Sequence, residues 1–184
     1  MSEKQHICAV EKAGLLDNRL RLWLQNPYKI LKSFIQPGAT VLEVGCGPGF
    51  FSIPIAKMLL GKGKLIAADM QEGMLEIIGK KVIGSDLAER IVLHKCLGES
   101  IGLNEQVDFV LAFYMVHEVP DAKRLITELK SLLKPDGQIL IVEPKFHVKK
   151  KDFDALLEMV QKIGLKSIAQ PKVFFSRSML LKLA

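Results

Sequence analysis

Hydrophobic positions along the chain fall into two alternating patterns. Short apolar runs recur at residues 40–44, 64–68, 91–96, 107–113 and 138–143. Between them lie longer amphipathic stretches near 50–60, 72–84 and 121–134, bounded by Gly61, Gly63, Gly84, Pro135 and Gly137, and these predict helices. The link from 96 to 107 is short and predicts no helix. Runs such as 107–113 and 139–142 are apolar along their whole length. Such strands are buried on both faces, which is the pattern of a parallel sheet covered by helices on each side. Upstream, residues 15–34 read as helical, with Leu16, Leu20, Trp23 and Leu24 on one face and Ile30, Leu31 and Phe34 continuing the period. Pro27 divides this stretch into two helices. The Pro37-Gly38 turn separates an N-terminal helical segment, 1–37, from the main domain, 38–184. After the fifth run comes a helix at 152–163, with Phe153, Leu156, Leu157 and Val160 on one face, and then two strands, 165–173 and 178–183. Only residues 174–177 join them, too few for a crossover helix, so they pair as an antiparallel hairpin. The expected fold is α/β: a mostly parallel, seven-stranded sheet with helices on both faces, five parallel strands being followed by the hairpin.

Composition narrows the class without changing the picture. With 49% hydrophobic and 25% charged residues in 184, intrinsic disorder is excluded for the bulk of the chain. The longest apolar run, 110–116, is far below the roughly 18 residues that span a bilayer. The first residues are polar and do not resemble a signal peptide. Three scattered cysteines, Cys8, Cys46 and Cys96, make neither a disulfide framework nor a zinc knuckle. His6 and Cys8 resemble half of a metal site whose other half is missing, so no metal is expected. These features lead to the expectation of a soluble, reduced, cytoplasmic protein. The net charge of +6 is uneven. Residues 143–184 carry nine basic and four acidic side chains, against seventeen and sixteen in 1–142. Lys145, Lys149, Lys150 and Lys151 make a basic stretch that would attract RNA, a lipid headgroup or a phosphorylated metabolite, or would simply be a solvated loop and helix start.

The chemistry concentrates in Val41-Leu42-Glu43-Val44-Gly45-Cys46-Gly47-Pro48-Gly49. A strand ends in glycines and a helix follows, so a ligand can approach the backbone closely beside the positive end of the helix. The spacing is G-x-G-x-G. A dinucleotide fingerprint would need its third glycine at position 50, which is Phe, and no Lys-Ser/Thr pair follows to make a P-loop.

This segment resembles motif I of class I S-adenosylmethionine-dependent methyltransferases. Three further stretches match that family in order: 65–70, ending Asp69-Met70; the fourth run, 107–113; and the turn and fifth run, 133–140. The likeness extends over roughly 38–184 and is nearest to the small-molecule type, such as the ubiquinone/menaquinone-biosynthesis methyltransferases. It implies a Rossmann-like fold and S-adenosylmethionine as cofactor. It carries cofactor contacts onto Glu43, Gly45, Cys46, Gly47, Gly49, Asp69, Met70, Gly98, Glu99 and Phe113. Asp69 would accept hydrogen bonds from the ribose hydroxyls, and Met70 would pack on adenine. Gly45 and Gly47 would admit the methionyl portion, while Glu43 would orient the loop or reach the ammonium through water. Cys46 is read as a motif residue rather than a nucleophile. One position departs from the family: Leu97 stands where many relatives have the acid that bonds the adenine amino group. Either Glu99 substitutes, or adenine is held by backbone and packing.

The methyl acceptor is expected beyond the fourth strand, at Phe113-Tyr114-Met115-Val116-His117-Glu118. The Asp/Asn-Pro-Pro-aromatic sequence of adenine and amide-nitrogen methyltransferases is absent there, as is the Pro-Cys of cytosine-C5 enzymes. A DNA base is therefore not the expected acceptor. Methyl transfer is an in-line displacement in which positioning does much of the work. An acceptor carrying a proton, such as a phenol, enol or thiol, also needs a base, and His117 is the candidate, with an unperturbed imidazole titrating near about 6.5. Tyr114 is a candidate orienting group. Arg19 and Arg21, on helices expected to lie over the cofactor cleft, would bind a carboxylate or make surface ion pairs. A small-molecule methyltransferase is the leading expectation. An RNA or protein methyltransferase using the basic tail, and a non-enzymatic S-adenosylmethionine-binding protein, are the alternatives.

Overall fold

The computed structural model describes residues 19–98 and 100–184, with side chains from residue 21 onward. Among the described residues, two short helices come first, α1 (Arg19–Leu24) and α2 (Pro27–Leu31). They divide at Pro27, which takes the first helical position where no N–H is needed. The Asn26 side chain caps α2 by accepting from the Lys29 amide at 3.2 Å. The expected helical residues 15–18 lie outside the described part, as do His6 and Cys8.

The main body runs β1 (Thr40–Val44), α3 (Ser52–Met58), β2 (Lys64–Asp69), α4 (Glu72–Val82), β3 (Ile91–Lys95) and β4 (Val107–Phe113). A 3-10 turn at Val116–Glu118 leads to α5 (Ala122–Ser131), β5 (Leu133–Pro144), α6 (Lys150–Lys162), β6 (Leu165–Ala169) and β7 (Ser176–Leu183). The strands form one sheet in the order β3-β2-β1-β4-β5-β7-β6. The first five run parallel, and β7 lies antiparallel between β5 and β6. This is the expected seven-stranded sheet with its terminal hairpin.

Successive side chains of a strand point to opposite faces, and here they feed two cores. In β4, Phe109, Leu111 and Phe113 join the core beneath α3 and α4, while Val110 and Ala112 join the core beneath α5 and α6. That double burial is why the run is apolar throughout. At the sheet edge the rule relaxes: Val92 and Leu93 of β3 are exposed.

The last helix and the last strand each begin two residues earlier than expected, at Lys150 and Ser176, and two further boundaries depart from the sequence pattern for a visible reason. Residues 133–137 read as a turn, yet β5 begins at Leu133. Val107 pairs with Leu133 and Phe109 with Gln138, so 134–137 bulge out of the ladder. The sixth strand stops at Ala169 rather than 173, before Pro171, which cannot donate to a ladder. The Ser178 hydroxyl donates to the Pro171 carbonyl and holds the departing loop.

The chain proceeds outward from β1 through β2 to β3, then returns to lay β4 on the other side of β1. The crevice of such a sheet opens beyond the carboxyl ends of the two strands at this reversal, here β1 and β4. No helix among the described residues is long and apolar enough to cross a membrane.

Candidate functional site

The loop after β1 is tied to the end of β2: the amides of Gly45 and Cys46 both donate to the Ala68 carbonyl, at 2.9 and 3.1 Å. Its glycines serve different ends. At Gly45 (φ +67°) a Cβ would lie 2.9 Å from the Cβ of Met115, so the loops after β1 and β4 meet here. A Cβ on Gly49 would lie 3.0 Å from Ile78 of α4, which packs the loop onto that helix. Gly47 (φ +53°) faces open space, with no atom within 4 Å of the place a Cβ would take.

Asp69 ends β2 directly beside this opening. One carboxylate oxygen accepts from the Gly47 amide and the other from the Gln71 amide, each at 2.9 Å. A carboxylate oxygen has a second lone pair, so each can still take a hydroxyl donor. The Asp69 carbonyl accepts from the Cys96 amide, which sets the ends of β2 and β3 side by side. The residues that follow, Met70 and Leu97, are apolar yet 48% and 71% exposed. Gly98 (φ +60°) again faces open space, and Glu99 lies outside the described residues. A buried carboxylate for a diol, bare apolar surface for a flat ring and an open glycine loop for a short polar chain fit the three parts of S-adenosylmethionine.

Under the loop, Glu43 is buried and accepts from the Ser52 hydroxyl at 2.6 Å. Burial pushes its carboxyl up to about 8; the Ser52 hydrogen bond and Arg21 oppose the rise and Asp69 adds to it. Glu43 thus sits in the free protein as a carboxylic acid at neutral pH. Burial also raises the Cys46 thiol, which leaves no thiolate for nucleophilic work. The Phe113 side chain is in the core, its ring 4.3 Å from that of Phe51 and 4.5 Å from that of Tyr114.

On the β4 side, Tyr114 adopts a left-handed backbone (φ +61°). Its hydroxyl meets the Ser176 hydroxyl and accepts from Gln25 Nε2, each at 2.5 Å. The phenol therefore joins α1, the end of β4 and the start of β7. Arg21 donates from Nε to Gln25 at 3.3 Å and lays its guanidinium over the Phe50 ring, 4.1 Å from the centroid.

His117 lies in the 3-10 turn with its side chain 21% exposed, and its Nδ1 is hydrogen-bonded to Glu143 Oε2. The other Glu143 oxygen accepts from the Val116 amide at 3.0 Å, and the residue is 1% exposed. His147 stacks on the His117 ring at 5.4 Å. The expectation of an unperturbed imidazole is corrected here. Burial works against the charged ring, but the hydrogen bond and charge of Glu143 outweigh it and raise the pKa. With Nδ1–H directed at the carboxylate, Nε2 is the ring nitrogen that Glu143 does not occupy. An open groove of about 860 Å³ along α5, lined by Ser100, Asn104, Arg124 and Thr127, lies apart from this crevice.

Sequence reading did not find Glu143, Ser52, Gln25 or Ser176. Glu143 alone left a signal: an acid at the end of a wholly apolar run. The others act through contacts between elements 9 to 89 residues apart in the chain.

Comparison with known proteins agrees with the geometry. Residues 41–137 match the family model described as a methyltransferase domain. A demethylmenaquinone methyltransferase of Lactobacillus johnsonii is 32% identical over 124 residues, covering 66% of this chain and 49% of that protein. One from Symbiobacterium thermophilum is 28% identical over 164 residues, covering 82% and 64%. The chain thus spans less than two thirds of either relative. Among solved structures, a SAM-dependent methyltransferase from Aquifex aeolicus superposes with a TM-score of 0.84 at 27% identity, over 97% of this chain and 100% of that one. With the glycine loop, Asp69 and the β4 crevice placed as they are, this chain belongs to the class I S-adenosylmethionine-dependent methyltransferases.

Proposed function

We propose that the chain methylates a small-molecule acceptor whose nucleophilic atom carries a proton at neutral pH, as a phenol, enol or thiol does. The observation that carries this reading is the His117–Glu143 pair at the mouth of the crevice. A displacement that needs only alignment has no use for an imidazole backed by a buried carboxylate.

When bound, S-adenosylmethionine supplies a methyl group activated on a sulfonium. The chain's own residues do the rest. Asp69 holds the ribose diol, Met70 and Leu97 cover the adenine, and the backbone at Gly45 and Gly47 admits the methionyl portion. Adenine is then held by packing, with Leu97 in place of the usual acid. His117 takes the acceptor proton at Nε2 while Glu143 stabilises the charge that forms on the ring and fixes its orientation. Tyr114 shapes the crevice wall through its ties to Gln25 and Ser176, and α1 and α2 cover the cofactor side, with Arg21 over Phe50. The free thiols of Cys46 and Cys96 suit a reducing, cytoplasmic setting.

The relatives' names make demethylmenaquinone, offered in its reduced quinol form so that it carries phenolic protons, the first acceptor to try, followed by a metabolite extract. With methyl-labelled cofactor, label is expected in a small extractable product. Label found only in RNA or protein would overturn the reading.

A further inference from the structure

Beyond the crevice, where β5 ends and β7 begins, the surface combines exposed phenyl rings, which water does not favour, with a group of lysines. Phe146, Phe174 and Phe175 are 66%, 54% and 59% exposed. They belong to one patch: the Lys145 amide donates to the Phe175 carbonyl at 3.1 Å, the rings of Phe174 and Phe175 lie 5.9 Å apart, and Arg177 Nε reaches the Val148 carbonyl at 3.3 Å. Phe175 is held at φ +53°, a backbone that non-glycine residues seldom adopt. Phenylalanine has no polar atom to satisfy in water, so three such rings together mark a contact surface. Around them stand the exposed Lys145, Lys149 and Lys151. Lys150 is paired with Asp154 at 2.6 Å, and Asp152 lies in the same turn, yet among the described residues no carboxylate forms an ion pair with the other three lysines.

The patch is continuous with the crevice. The Phe146 ring lies 6.5 Å from that of Tyr114 and 4.8 Å from His147, which stacks on His117. Lys145 follows two residues after Glu143.

We infer that this face docks on the surface of an anionic lipid bilayer, the lysines meeting the headgroups and the three phenyl rings entering the headgroup–acyl boundary. Apolar tips within a ring of unneutralised lysines are the complement of such an interface. A bilayer uses the exposed rings and the lysines at once. Single-stranded RNA can also stack bases on exposed rings, and the RNA arm of the test decides between them. Docking would bring the crevice mouth to the membrane, where an apolar acceptor partitions. The surface argument itself needs no assumption about the acceptor.

The test is co-sedimentation of the full chain with phosphatidylcholine vesicles, with and without phosphatidylglycerol, at physiological ionic strength. Binding is expected to the mixed vesicles and not to neutral ones, weakening as salt rises. At about fivefold per lysine near a charged surface, Lys149→Glu/Lys151→Glu should lose at least 25-fold in partitioning. Phe174→Ser/Phe175→Ser should lose at least tenfold with its charge intact, at unchanged thermal stability. Failure to bind anionic vesicles overturns the inference, as does parent-like binding by the phenylalanine variant. A mixed-RNA gel shift abolished by the lysine substitutions, with no vesicle binding, would assign the patch to RNA instead. Vesicle binding requires no cofactor or turnover, so docking without methylation of any small molecule would leave this inference standing and overturn only the proposed acceptor.

Discussion

At the scale of single residues, the chemistry depends on how two carboxyl groups are placed. Glu143 raises the pKa of His117 against the effect of burial. His117→Ala should bind S-adenosylmethionine as the parent does and turn over about 10²–10⁴ times more slowly. Glu143→Gln keeps the imidazole but removes the charge that raises its pKa. The acid limb of kcat/KM should therefore move to lower pH, with a lower plateau; an unmoved limb would mean that another group is the base. Glu43 gives a prediction in stability. Its folded pKa of about 8 stands above the ordinary 4.5, so folding favours the protonated form. The stabilisation is fully present below pH 4.5 and is lost as pH rises through about 8. Glu43→Gln keeps an acceptor for the Ser52 hydroxyl and has no charge to bury. Its unfolding free energy should gain on the parent by roughly 2–5 kcal/mol between about pH 4.5 and about pH 9, read by denaturant unfolding of the cofactor-free protein. A constant difference across that range would show that Glu43 is not neutral in the fold.

At the scale of elements, the loops and helix ends that border the crevice respond separately to substitution. Gly45→Ala combines a left-handed strain with a 2.9 Å approach to the Met115 Cβ, an atom that Met115→Ala retains. It should destabilise by roughly 2–4 kcal/mol, and Met115→Ala should not restore it. Gly47→Ala meets open space, so its cost should be only about 1–2 kcal/mol of backbone strain, while S-adenosylmethionine affinity falls because the side chain enters the cradle. Equal loss of stability in the two variants would contradict this division. Tyr114→Phe removes the hydroxyl that links Gln25, just after α1, to Ser176 of β7. Amide exchange in α1 should quicken while the sheet stays protected, because this hydroxyl ties the end of α1 to the body of the protein.

At the scale of the whole molecule, cofactor binding and folding are linked. S-adenosylmethionine at 100 times its Kd should stabilise the chain by about 2.7 kcal/mol and NAD at the same concentration far less, as thermal unfolding would show; Asp69→Ala should lose most of the gain. Much of this architecture was legible along the chain. The double burial of β4 is written in an unbroken apolar run, the break at Pro27 in a missing N–H, and the cofactor loop in glycines whose spacing excludes a dinucleotide or triphosphate. These are local properties of backbone and period, so a single sequence displays them. The bulge at 134–137 and the early end of β6 were not legible, because strand ends depend on which neighbour supplies the next hydrogen bond. The site divides in the same way. Asp69 ends a strand that the pattern marks and His117 follows four residues after another, whereas Glu143 under His117, Ser52 under Glu43 and Gln25 on Tyr114 come together only when the sheet is assembled. Sequence determines which groups the chain carries and on which element each sits. Their protonation and partners are set by burial and by contacts between distant segments, and these exist only in the tertiary structure.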